Sequence, residues 1–133
     1  MTSIVIDTNV LISAVLSENS KPSQVFDMVS DHLVIMFYCS DMLDEYRRVL
    51  GYSKLKISEY TQQKIINGIF LLGIRIVPVA SGLVLSHEPD RVFYDTAKTA
   101  EAILVTGNTK HFPSEPTIMS PSDFLDTYGV KAT

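Results

Sequence analysis

Asp7, Glu45, Asp90 and Asn108 are residues whose types and places in this chain suit one chemistry. Asp7 closes the short β-branched apolar run Ser3-Ile4-Val5-Ile6, and a hydroxyl and an amide follow it in Thr8 and Asn9. Such a run reads as a buried parallel strand. Open α/β sheets place ligands and chemistry just beyond the C-terminal ends of their strands. A carboxylate there is costly to bury unless a metal, a cation or hydrogen bonds compensate. Carboxylates gathered on one rim repel one another, and a hard divalent cation relieves the repulsion. Mg²⁺ prefers oxygen ligands, uses one or two carboxylates directly and keeps waters that the others can hold. Water on such an ion is more acidic, a carboxylate can orient or deprotonate it, and a phosphate oxygen on the same ion is polarised. This is equipment for metal-assisted phosphodiester hydrolysis.

Each of these residues also has a plain structural reading. An aspartate after a buried strand can cap the next helix, and Asp90, just before a helical stretch, can do the same. Glu45 stands among Asp41, Asp44, Arg47 and Arg48, where i,i+3 and i,i+4 pairs belong to a solvated helix face. Asn108 after Gly107 is an ordinary turn residue. What favours chemistry is that all four fall at matching positions in the predicted architecture.

The pattern of strand-like and helix-like pieces defines that architecture. Ser3–Ile6 is the first strand, and Val10–Leu16 and Lys21–Ser30 are helical, with Pro22 suited to a first turn. Leu33–Cys39 is a second apolar run. Ser40 is the expected N-cap of a helix with Leu43, Tyr46 and Leu50 on one face, and Gly51 its expected stop. Ser58–Leu72 is helical, Ile74–Val79 is a third strand, and Val92–Ala102 is helical. Ile103–Thr106 is a fourth strand, Thr117–Met119 a short edge strand, and Ser120-Pro121-Ser122-Asp123 opens a last helix to Tyr128. Strands alternating with helices imply βαβ crossovers and a mainly parallel sheet covered on both faces. Asp7, Thr8, Asn9, Glu45, Asp90, Asp95, Thr106 and Asn108 then share one rim.

With 133 residues the chain makes a single domain. The net charge of −4 argues against unselective nucleic-acid binding by charge alone, but clustered acidic ligands lower the count and a bound cation reverses the local field. Cys39 is the single cysteine and reads as a small core residue, which excludes an intrachain disulfide and a cysteine-based zinc cluster. No apolar run reaches a membrane span, and the start lacks a basic segment followed by an apolar one, so no signal peptide is expected. A reducing cytoplasm is the simplest compartment.

The ordered segments resemble the PIN-domain ribonucleases. Ile4-Val5-Ile6-Asp7-Thr8-Asn9-Val10 looks like their opening motif. Leu43-Asp44-Glu45-Tyr46-Arg47-Arg48-Val49-Leu50 resembles the segment with the second acid, and Asp90-Arg91-Val92-Phe93-Tyr94-Asp95-Thr96-Ala97 the third. Leu104-Val105-Thr106-Gly107-Asn108 and its continuation to Pro113 resemble the strand and turn near the C-terminus, and Ser120–Leu125 the closing helix. The nearest subgroup is the VapC-like toxins of type II toxin–antitoxin systems. The resemblance implies a three-layer α/β/α sandwich with a five-stranded sheet in the order 3-2-1-4-5. It also implies Mg²⁺- or Mn²⁺-dependent cleavage of RNA, with Asp7, Glu45 and Asp90 as the acidic core. An antitoxin partner and a homodimer follow from the same analogy.

Two places depart from the family pattern. Asn108 and Lys110 stand where relatives commonly carry acids, and His87-Glu88-Pro89 precedes the third acid. Asp95, five residues past Asp90, turns away from its face on a helix, which favours a solvated or structural role over a share of the missing charge. His111 reads as a loop-packing residue. The leading expectation is a ribonuclease in which Asp7 and Asp90 are principal ligands and Glu45 is a ligand or orients the attacking water. Asn108 completes the site, while Thr8, Asn9 and Thr106 fix ligand orientation. Lys110, Arg91, Arg47 and Arg48 are candidates for phosphate contact. The alternative is a PIN-fold RNA- or protein-binding module with weakened or lost catalysis. A phosphatase that uses Asp7 as a covalent nucleophile, as in the haloacid-dehalogenase-like enzymes, needs a second aspartate where this chain has Asn9.

Overall fold

The computed structural model describes residues 1–129. Its described strands form one five-stranded sheet in the order β3-β2-β1-β4-β5. These are β1 (Thr2–Ile6), β2 (Val34–Tyr38), β3 (Ile74–Arg75), β4 (Ile103–Val105) and β5 (Ile118–Met119). Every pairing is parallel, with Ile4 opposite Met36 on one side and Ile103 on the other. The helices are α1 (Thr8–Leu16), α2 (Lys21–Ser30), α3 (Ser40–Leu50), α4 (Glu59–Leu72), α5 (Arg91–Ala100) and α6 (Pro121–Tyr128).

Local chemistry sets most of the helix starts. Ser20, Ser58 and Ser120 accept from the backbone N–H groups of Ser23, Thr61 and Asp123 at 3.2, 3.1 and 3.1 Å. Pro22 and Pro121 occupy first-turn positions, where a missing N–H costs nothing. Ile4, Val5 and Ile6 are all fully buried, as a central strand covered on both faces requires. Strand order reverses between β1 and β4. By the right-handed crossover rule, α5 therefore lies on the opposite face from α1 to α4.

Two local expectations change, the Ser40 cap and the extent of the third strand. Ser40 is the first helical residue rather than the cap: Leu43 N–H donates to the Cys39 carbonyl at 3.1 Å, so the cap position belongs to Cys39, whose side chain makes no capping bond. Gly51 ends α3 as expected, and it does so at φ −84°, a conformation open to any residue. The third strand spans Ile74–Arg75 instead of Ile74–Val79. Its partner β2 ends at Tyr38 and turns into α3, so pairing stops once Ile76 N–H has reached the Tyr38 carbonyl at 2.9 Å, and Pro78 carries no N–H to extend it.

Candidate metal centre

The centre is built on the C-terminal edges of β1 and β4, which pair through Ile6 and Val105. Asp7 N–H donates to the Val105 carbonyl at 3.0 Å, fixing the first residue past β1. The Asp7 side chain does two jobs there. Its Oδ1 caps α1 by accepting from Thr8 N–H at 2.8 Å, and its Oδ2 accepts from Thr106 Oγ1 at 2.7 Å and Asn9 Nδ2 at 3.4 Å. Thr106 Oγ1 in turn accepts from Asn108 N–H at 3.0 Å, so one hydroxyl orients Asp7 and sets the turn that carries Asn108. Asn9 Oδ1 accepts from Gly107 N–H at 3.0 Å. A Cβ on residue 107 would lie 3.2 Å from that oxygen, so the close approach favours glycine.

Glu45 reaches the same edge from α3. Its neighbour Tyr46 is fully buried and donates its hydroxyl to the carbonyl of Ile6, which ties the helix to the end of β1. Burial pushes the Tyr46 phenol well above its ordinary range, which keeps it a neutral donor. Glu45 Oε2 accepts from Thr8 Oγ1, and Arg48 stands 3.7 Å from its Oε1. Asp90 ends the 3₁₀ turn Glu88–Asp90 ahead of α5, yet its side chain makes no capping bond. Its Oδ2 lies 3.1 Å from His111 Nδ1.

Asp7, Glu45, Asp90 and Asn108 all line one open cleft of about 600 Å³, together with Thr8, Asn9, Arg48, Lys54, His87 and His111. Burial holds the Asp7 carboxyl up to about 6, and the charges of Asp90 and Glu45 push the same way, against the hydrogen bonds from Thr106 and Thr8. The carboxylates are therefore close enough to repel, and the ligands they and Asn108 offer are all oxygen. That donor set fits a hard divalent cation, which relieves the repulsion.

Other residues go elsewhere. Asp95 is buried on α5, accepts from Ser81 N–H at 3.3 Å and lies 3.8 Å from Arg91. It is thus neither solvated nor on the cleft wall. Arg91 is engaged by Glu88 at 2.7 Å and by the Leu83 carbonyl, and Lys110 borders a different hollow beside Phe112 and Glu115. The sequence reading overlooked Tyr46, hidden in the apolar repeat of α3, and Lys54 and His87 on the cleft wall. His111, read as a packing residue, touches Asp90; its signal was a histidine three residues past Asn108.

The PIN domain family matches this chain over residues 3–110. The chain belongs to the PIN domain family. PIN is generally a nuclease fold, and its nucleases use divalent metals. The uncharacterized protein MJ1680 of Methanocaldococcus jannaschii is 28% identical over 112 residues, covering 79% of this chain and 70% of that protein. No solved structure gave a significant match. No helix among the described residues of this PIN domain is long and apolar enough to cross a membrane.

Proposed function

We propose that this PIN domain is a ribonuclease that hydrolyses RNA phosphodiester bonds with Mg²⁺ or Mn²⁺ held in the acidic cleft. The observation that carries the reading is the convergence of Asp7, Glu45, Asp90 and Asn108 on one cleft where strand order reverses. A bound cation supplies acidified water and positive charge against phosphate oxygens. Asp7 and Asp90 are the principal ligands, Glu45 is a ligand or orients the attacking water, and Asn108 offers a neutral amide oxygen. Thr106 and Asn9 hold Asp7, and Thr8 holds Glu45, so the ligands need little rearrangement. Arg48 and Lys54 on the cleft wall suit phosphate contact. The test is cleavage of single-stranded RNA by purified protein in MnCl₂. Cleavage stops on adding EDTA and in Asp7→Asn; an Asp7→Asn protein that cuts at the wild-type rate overturns the assignment.

The VapC-like resemblance supports a finer form: a homodimeric cytoplasmic toxin neutralised by an antitoxin that presents a basic side chain to the acidic cleft. Growth arrest on expression alone, relieved by a co-purifying small partner, is its expected behaviour. Asn108 favours a second reading, a binding module with weakened catalysis, because an amide adds no charge to the cation site. A calorimetric Mg²⁺ titration separates the two, since the module takes up no cation at millimolar concentration.

A further inference from the structure

In the ribonuclease reading the acidic centre meets a phosphate through its cation, and phosphate contacts position a strand without engaging its bases. The same cleft carries aromatic groups that this chemistry does not use: His87, His111 and Tyr52 all line it. The two imidazoles stack face to face, with centroids 3.8 Å apart and planes inclined by 12°. They come from separate loops, the turn before α5 and the 3₁₀ turn Thr109–His111 after β4. Each ring is held at its edge. His111 Nδ1 lies 3.1 Å from Asp90 Oδ2, and His87 Nδ1 lies 3.2 Å from Ser86 Oγ, which also donates to the His111 carbonyl at 3.4 Å. His111 covers one face of the His87 ring, yet His87 remains exposed. A ring backed by a second ring and pinned at its edge is a flat surface fixed before any ligand arrives. Tyr52 is 38% exposed and also held: its hydroxyl accepts from Arg48 Nη1 at 2.6 Å, and Lys54 Nζ lies 5.9 Å from its ring centroid.

We propose that the outer face of His87 is a stacking platform for one unpaired base of the RNA strand whose phosphate the acidic centre engages. The inference rests on the RNA substrate of the ribonuclease reading and adds a binding residue to it. A base inside a duplex has both faces covered by its neighbours, whereas an unstacked base in a single strand can be splayed onto an aromatic ring. The platform therefore favours single-stranded segments. It tolerates any sequence, because every base has a π-face. His111 and Ser86 act through His87 by keeping its ring in one orientation. Arg48 and Lys54, gathered around Tyr52, supply positive charge for flanking phosphates in a cleft that is otherwise acidic.

The experiment is a fluorescence-anisotropy titration of the full chain with a labelled short oligoadenylate in CaCl₂, and with the same strand annealed into a duplex. His87→Ala weakens single-strand binding at least about fivefold, and His87→Phe, which keeps a flat ring, restores it. Neither substitution changes duplex binding. In the unsubstituted chain the His87 ring-proton NMR signals move upfield as the oligoadenylate binds, because an adenine ring lies over them. His87→Phe that binds as weakly as His87→Ala, or His87 signals that stay in place at saturating oligoadenylate, overturns the proposal. The NMR arm uses no variant, so a substitution that fails to fold does not obscure the result. Shifted His87 signals without cleavage in MnCl₂ overturn only the nuclease reading, and cleavage with unmoved signals overturns only the platform.

Discussion

Replacing Asp7 with asparagine makes the metal-free protein more stable, and the size of the gain follows from the structure. Asp7 is only 5% exposed and its carboxyl titrates at about 6 instead of 3.8. At about 1.4 kcal/mol per pH unit, the ionised carboxylate costs the metal-free fold about 3 kcal/mol above pH 6. Asparagine removes that cost. Its oxygen can still accept from Thr8 N–H, and its NH₂ then faces Thr106 Oγ1, which must rotate its proton away. Weakening these bonds offsets about 1–2 kcal/mol. The net gain is about 1–2 kcal/mol, or roughly 5 °C in Tm. The sign against pH follows from a folded pKa raised above the unfolded one. The native state binds the extra proton between pH 3.8 and about 6, so wild-type stability falls as pH rises through that window. The advantage of Asp7→Asn is therefore full at pH 7.5, shrinks below pH 6 and is gone by pH 4. The assay is thermal melting of both proteins in EDTA across this range, repeated in MnCl₂, which stabilises the wild type and not the variant. A variant less stable than wild type at pH 7.5 in EDTA, or a difference that ignores pH, refutes the reasoning.

Three further outcomes are expected. Tyr46→Phe removes the buried hydrogen bond to the Ile6 carbonyl and lowers stability by about 1–2 kcal/mol in urea unfolding, and it weakens cation binding because it frees the helix that carries Glu45. Asn108→Asp restores a charged ligand, so Mn²⁺ binds about five- to tenfold tighter by calorimetry while the metal-free protein melts lower. Because a cation must displace the proton that Asp7 holds up to about 6, apparent Mn²⁺ affinity is level above pH 7 and declines about tenfold per pH unit once below 6. Equal affinities at pH 5 and pH 7 contradict the raised Asp7 pKa.

Much of the frame was legible because local signals agreed with tertiary demands. The run Ile4-Val5-Ile6 announces a strand buried on both faces, and Pro22 announces the first turn of the helix Lys21–Ser30. Asp7, Asp90 and Asn108 share a cleft because parallel crossovers bring strand ends and helix starts to one edge, and Glu45 joins them from the second turn of α3. What stayed hidden depends on contacts between distant segments. The length of β3 is set by where β2 turns away at Tyr38, which the apolar stretch Ile74–Val79 does not encode. Asp95 lies on α5 turned from Asp90, but its burial depends on Ser81 folding back over it. Arg91 pairs with Glu88 and Asp95 at i,i−3 and i,i+4, a local pattern that leaves little of its charge free for phosphate. His87 and His111 stack only because two short 3₁₀ turns bring their loops together.

The central claim is that the acidic cleft holds a divalent cation for RNA hydrolysis. The most direct measurement is an anomalous-scattering map from crystals of this protein soaked in Mn²⁺. A peak between Asp7, Asp90 and Asn108, within reach of Glu45 and absent in Asp7→Asn crystals, is the predicted result. A saturated crystal with no peak in that cleft, or one whose peak is unchanged in Asp7→Asn, contradicts it.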